Sequence, residues 1–247
     1  AHRAGYDALA QGMGGIMSLT GVPDGEPMKV GVGIADVMCG MYASSAILAA
    51  LRHRDATGEG QHIDVCLLDT QIAWLINEGL NYLTSGEVPK RRGNGHPNIV
   101  PYQVFKTSDG HFMLAAGNDG QYQRFCEFAG VSELATDERF ATNSQRLRNR
   151  DDLIPLLADV IIKKSSAYWI DGMEESGVPT GPVYNLEQVF ADPQVPARGM
   201  RIHMDHPSAG AGVDLIGNPV KLSETPVTYR HAPPVMGQHT DEVLEEL

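Results

Sequence analysis

The chain has 247 residues, 42% of them hydrophobic, enough to build a real core in one large domain or two small ones. Its formal net charge of −12 argues against general nucleic-acid or anionic-membrane binding, and no apolar run reads as long enough to span a bilayer. Cys39, Cys66 and Cys126 lack CxxC spacing and read as buried thiols in a reducing compartment, so a cytoplasmic protein without a nucleic-acid or membrane partner is expected.

Residues 1–21 begin with a basic, polar stub and continue as a helix. Leu9, Met13 and Ile16 fall on one side of it, and Gly12, Gly14 and Gly15 permit close packing. Val30, Val32 and Ile34 then alternate with Gly31 and Gly33, which predicts an extended segment whose backbone something could approach. A long helix follows, with Val37, Met41, Ser44, Ser45, Leu48 and Leu51 at three- and four-residue spacings and Arg52 and Arg54 at its negative end. Asp36 stands at the junction. The helix dipole and free N–H groups there would hold its carboxylate ionised, as a nucleophile requires, but aspartate is also among the commonest capping residues.

Thr57-Gly58-Glu59-Gly60 predicts a turn, and Ile63, Val65 and Leu67 alternate with His62 and Asp64 as in a strand over Gln61–Leu67. A helix over Leu68–Leu83 follows, in which Trp74 and Tyr82 read as packing residues. The stretch 84–98 is a linker rich in Gly, Pro and charge. Within it Gly93, Asn94, Gly95 and His96 supply flexible backbone and exposed N–H groups, suited to a turn or to a loop that closes over a reacting group. Lys90, Arg91 and Arg92 could attract a carboxylate or form a solvated face.

From residue 99 to about 204 the pattern is that of a compact α+β unit. A hairpin is predicted from Val100–Phe105 and His111–Ala116 around Ser108-Asp109-Gly110. Helices are predicted at Gln121–Ala129, at Gln145–Leu147 leading into Leu153–Ile162, and at Ala167–Glu175. The run from Gly177 to Pro182 predicts a turn before a helix at Leu186–Phe190. Gly117-Asn118-Asp119-Gly120-Gln121 lacks the Lys-Ser/Thr of a phosphate loop and reads as a strand-to-helix turn. Residues 205–247 are rich in Pro and Gly, with strands possible at Ile202–Met204 and Val213–Leu215. The histidines are scattered, without HExxH or Cys/His spacing, so no metal site is expected.

Eight segments in order, AHRAGYDALAQGMGGIMSLTG, GVGIADVMCGMYASSAILAAL, TGEGQHIDVCLLD, GNGHPNIVPYQVF, GNDGQYQRFCE, DERFATNSQRLRNRDDL, SGVPTGPVYNLEQVFADPQV and GQHTDEVLEEL, resemble the family III CoA-transferases of the CaiB/BaiF type. The resemblance implies an α/β fold: a large Rossmann-like domain, incomplete here, with a small α+β domain, in an intertwined homodimer. It implies that 1–83 is the remainder of the large CoA-binding domain, 84–98 a linker with the glycine loop, 99–204 the small domain, and 205–247 a return to the large domain. It also implies that an N-terminal portion precedes Ala1 and that a short helix follows the last residue.

By the same resemblance Asp36 is the catalytic aspartate, and Arg3, Ala4, Gly5, Tyr6 and Asp7 contribute to the CoA site. Gly93, Asn94, Gly95 and His96 correspond to a loop that folds over the aspartate in formyl-CoA transferase. That enzyme has consecutive glycines, however, and His96 and Pro97 stiffen the loop here. The implied activity moves CoA between an acyl-CoA, succinyl-CoA among the candidates, and a small carboxylic or dicarboxylic acid through an aspartyl-CoA thioester. Coenzyme A is then a substrate, and no prosthetic group is implied. Two alternatives remain. An α-methylacyl-CoA racemase would share Asp36 but wants a histidine where Tyr6 stands, and a phenol titrating near ~10 is a poorer base. A truncated, non-catalytic dimerising fragment is the other.

Overall fold

The structure, a computed structural model, describes residues 4–246. Its contacts divide the chain into two units, Ala1–Pro182 and Val183–Leu247.

The first unit opens with α1 (Asp7–Met13) and α2 (Ile16–Leu19), so the helix expected over 1–21 is broken at Gly14 and Gly15. Gly15 takes φ +89°, a conformation open to glycine, and a Cβ on Gly14 would lie 2.4 Å from Gln71 Cγ. The glycines thus turn the chain and let α1 pack against α4 (Leu67–Ala73). Between them runs α3 (Ile34–Thr57), 24 residues long and closed by Gly58 at φ +81°. Only Ala35 of α3 is buried, and its apolar residues are spread around the axis rather than gathered on one face. Val37, Met41, Ile47 and Leu48 are each at least half exposed. Two expectations are therefore corrected. The apolar spacing of α3 does not mark a buried face of this unit, and the helix is long and apolar enough to cross a membrane by those criteria alone. Apolar residues all round a helix are equally the mark of one buried on every side in a large protein.

The expected strand at Gln61–Leu67 does not form, and the extended segment expected at Val30–Ile34 joins no sheet among the described residues. Ile34 is the first residue of α3, and residues 61–66 pair with no strand among the described residues. Alternation specifies a face, but a strand exists only when a neighbour takes its hydrogen bonds. The helix expected at Leu68–Leu83 is two helices, α4 and α5 (Ile76–Ser85), parted at Trp74 and Leu75. Ile76 restarts the helix at φ +36°, which a β-branched residue rarely adopts. Tyr82 is exposed rather than packed, as are Ile72, Ile76, Leu80 and Leu83. Of the three cysteines only Cys126 is buried; Cys66 is exposed.

The core lies between Val100 and Val178. Strands β1 (Tyr102–Lys106) and β2 (His111–Ala115) form the expected hairpin, with Phe105 opposite Phe112. The turn is closed by Thr107 N–H donating to Gly110 O at 2.9 Å. Against it pack α6 (Asp119–Phe128), α7 (Ser132–Thr136), α8 (Asn143–Arg148), α9 (Arg150–Ile161) and α10 (Ser166–Glu175). Side chains cap three of these helices. Asn118 accepts from Gln121 N–H, Thr142 and Gln145 form a capping box, and Ser165 accepts from Tyr168 N–H. Leu153, Leu157 and Ile161, four residues apart on α9, are buried with Phe125 and Trp169. Trp169 Nε1 donates to Ile161 O at 2.9 Å. The turn expected at Gly177–Pro182 also supplies β3 (Thr180–Pro182), the third strand of this antiparallel sheet.

The second unit carries α11 (Leu186–Ala191), α12 (Gln194–Ala197), β4 (Arg201–His206), β5 (Ala209–Ile216) and α13 (Thr240–Glu245). β4 and β5 pair antiparallel with each other, longer than the segments expected. The boundary expected after residue 204 falls inside β4.

Candidate active site

Asp36 lies in the first turn of α3, with Gly33 at the N-cap, so it is not the cap that one reading of the sequence allowed. The capping is done from elsewhere. Asp7 Oδ1 accepts a hydrogen bond from Ala35 N–H at 2.8 Å, 28 residues along the chain. The open end of α3 is therefore met by a negative side chain at its positive pole. Ile34 N–H is taken by Val32 O at 2.8 Å, and Val37 N–H by Gly33 O at 3.1 Å. Among the described residues the Asp36 N–H has no hydrogen-bond partner, which leaves one donor beside the Asp36 carboxylate.

The two carboxylates flank the open space at Gly33. A Cβ placed on it would lie 3.6 Å from Asp36 Oδ2 and 3.6 Å from Asp7 Cγ, which holds the two groups within about 7 Å of each other. Asp36 is exposed and Asp7 half-buried. A glycine here keeps the approach to the Asp36 oxygen open.

Asp7 Oδ2 accepts from Gln11 Nε2 at 2.7 Å. Gln11 is fully buried, and its Oε1 accepts from Val30 N–H at 2.8 Å. Sequence reasoning passed over Gln11. The available signal was its position four residues after Asp7, which puts both side chains on one face of α1.

The remaining expected residues stand as follows. Arg3 lies outside the described residues. Ala4, Gly5 and Tyr6 are exposed, and Tyr6, at 73% exposure, precedes α1 without a side-chain cap bond. The 93–96 loop is tied in place. Gly93 N–H donates to Gly21 O at 3.0 Å, Gly95 N–H to Arg92 O at 3.0 Å, and His96 N–H to Tyr102 O at 2.9 Å. Arg150 Nη2 donates to His96 O at 2.5 Å, and a Cβ on Gly95 would lie 3.1 Å from Arg150 Nη1. Burial first, then the nearby Arg92 charge, lower the pKa of the Arg150 guanidinium. No hydrogen bond joins residues 93–96 to Asp7 or Asp36 among the described residues.

Of the basic run, Arg91 donates to Val22 O and Gly25 O, and Arg92 pairs with Glu78 at 3.3 Å. Two of its three charges are thus engaged in local structure. A cleft of about 1060 Å³ lies beside this run, lined by Glu78, Asn81, Lys90, Arg92, Arg150 and Asp151 among others. A more apolar cleft of about 630 Å³ in the second unit, between α11 and β5, holds neither candidate carboxylate and no recognisable reactive constellation.

The chain matches CoA-transferase family III over residues 1–240. It is 46% identical to the succinate-glutarate CoA-transferase of Agrobacterium fabrum, across 99% of this chain and 61% of that protein. It is 39% identical to the succinyl-CoA:glutarate CoA-transferase of Homo sapiens, across 99% of this chain and 56% of that protein. The crystal structure of a CaiB/BaiF family protein from Brucella suis matches with a TM-score of 0.85 at 45% identity, covering 99% of this chain and 63% of that one. The chain thus spans about three fifths of the length of these relatives. A match that runs in order through α1, the Asp36 turn, the linker and the small sheet places the chain in CoA-transferase family III, with the mixed α/β fold of the CaiB/BaiF proteins.

Proposed function

We propose that this chain carries the nucleophile of a CoA-transferase that moves CoA between succinyl-CoA and a small dicarboxylate. The observation that carries the reading is Asp36 itself, an exposed carboxylate in the first turn of α3 over an unsubstituted Gly33. The relatives' names, with succinyl-CoA and glutarate among them, support the substrate class.

In this scheme the Asp36 carboxylate attacks the thioester carbonyl of the donor. The carbon–sulfur bond breaks, CoA leaves as thiolate, and a mixed anhydride remains. The thiolate attacks the aspartyl carbonyl, the donor's carboxylate leaves, and an aspartyl-CoA thioester stands at Asp36. The acceptor carboxylate attacks that thioester and repeats the two steps in reverse, restoring Asp36. Every nucleophile and leaving group is an anion, so no proton moves and no general base is required. The developing oxyanion needs a donor, and the Asp36 N–H at the helix end is suited to it. The anhydride must be kept from water, a task assigned here to the 93–96 loop. Residues 4–7 are assigned to the CoA side of the site. By the family resemblance, a homodimer in the cytoplasm is the state assigned here.

Incubating the complete gene product with succinyl-CoA and then hydroxylamine should leave a hydroxamate on Asp36, located by peptide mass spectrometry. Asp36→Asn should lose transfer. A label on another residue, or full activity in the variant, would overturn the assignment.

A further inference from the structure

We infer that Gln11 is a positioning residue for the Asp36 turn, acting through Asp7. The inference rests on the nucleophile reading above and extends it to a residue that no feature of the reaction itself requires.

Gln11 is a neutral amide with no exposed surface, in the last turn of a seven-residue helix. A buried amide is costly unless its hydrogen bonds are made, and this one makes them to the segment that leads into the reactive carboxylate. Oε1 holds Val30 N–H at 2.8 Å. Nε2 holds Asp7 Oδ2 at 2.7 Å and lies 3.4 Å from Val32 O. Asp7 passes the restraint on, since its other oxygen takes Ala35 N–H at 2.8 Å, one residue before Asp36. A single relay therefore clamps the chain at residues 30, 32 and 35.

The span between those points has little else to fix it. A Cβ on Gly31 would meet nothing within 4 Å, Val32 is 60% exposed, and neither strand hydrogen bonds nor a side-chain cap at Gly33 holds the backbone. The Gln11 amide also decides where the Asp7 carboxylate points, because both Asp7 oxygens are committed to fixed donors. Since Asp7 and Asp36 flank the same open space at Gly33, and Asp7 holds the N–H of the residue before Asp36, a shift of Asp7 is felt at the reactive carboxylate. A carboxylate that must attack a thioester carbonyl from its face tolerates little misplacement, and about 1 Å costs ~100-fold in rate.

The test uses the complete gene product with succinyl-CoA and glutarate, and reads kcat, KM, and the rate of hydroxamate formation at Asp36. Gln11→Leu removes the relay while staying apolar in a buried position. It should lower kcat and the labelling rate by about 100-fold while KM for succinyl-CoA changes less than about threefold. If that variant fails to fold, Gln11→Glu keeps the volume and the acceptor for Val30 N–H but replaces the donor facing Asp7. It should show the same split. Asp7→Asn combined with either change should lose no more than Asp7→Asn alone, because the two residues act as one unit.

Additive losses in the double variant, or a lowered melting temperature with unchanged kcat, would overturn the inference and leave Gln11 a packing residue. Failure of the parent protein to label at Asp36 is a different result, and it would remove the nucleophile reading instead.

Discussion

Arg146 offers the most exacting test of how the core between Val100 and Val178 is held. Its guanidinium is fully buried, an unusual place for a charge, and every part of it is engaged. Nε donates to Val100 O at 2.6 Å, Nη1 to Phe140 O at 2.9 Å, and Nη2 to Asp119 Oδ1 at 2.7 Å, with the cation 4.3 Å from the centre of the Tyr122 ring. It thus ties the entry to β1, the chain two residues before the Thr142 cap of α8 and the first turn of α6 around one group. Arg146→Met keeps most of the volume and removes the donors. The side chain of Asp119 is 47% exposed and can rehydrate, so its loss contributes little. The carbonyls of Val100 and Phe140 belong to buried residues, and each orphaned acceptor costs about 1–3 kcal/mol. The expected destabilisation is therefore about 4 kcal/mol, with the lost cation–π contact adding to two unmet carbonyls. Arg146→Lys, with one compact charge for three directions, should recover less than about half of that. Urea unfolding followed by Trp169 fluorescence in a Trp74→Phe background would measure both. A change below about 1 kcal/mol for Arg146→Met, at unchanged denaturant slope, would refute the assignment of Arg146 as the tie.

Gly14→Ala should destabilise by about 1–3 kcal/mol in thermal denaturation, since the new Cβ would meet Gln71 Cγ at 2.4 Å and Ala10 O at 2.7 Å. Thr142→Ala, which removes the capping box of α8, should cost about 1 kcal/mol by the same measurement. The Ser166 N–H and then the Thr107 hydroxyl hold the Asp109 carboxyl below its ordinary value of 3.8. A depressed folded pKa stabilises above the unfolded value and loses that contribution as pH falls through the folded one, so Asp109→Asn should lower the melting temperature near neutrality and converge with the parent below 3.8. With Tyr6 in place of a histidine, incubation of a 2-methylacyl-CoA in D₂O should leave its α-hydrogen unexchanged by mass spectrometry, and rapid stereospecific exchange would favour a racemase instead.

Local chemistry made much of residues 100–178 legible in advance. The segments Val100–Phe105 and His111–Ala116 and the turn at 108–110 act within a few residues, and the hairpin they predict is present; the caps at Asn118, Thr142 and Ser165 act as locally, but the sequence reading did not single them out. Asp36 at a helix start was legible for the same reason, because the change from a Val/Gly/Ile run to a helical one marks the boundary. Other features depend on partners distant in sequence. Residues 61–67 alternate as a strand would, but alternation carries no information about whether another strand lies beside it, and none does among the described residues. Thr180–Pro182 shows the converse, since three residues that read only as a turn become a strand once β2 supplies their register. Only tertiary structure brings Asp7 to the N-terminus of α3 and closes Gln11 around Val30, for these hydrogen bonds join residues 28 and 19 positions apart. A side chain's periodicity tells which way it faces, while the donor that meets it is decided by how α1 packs against α3.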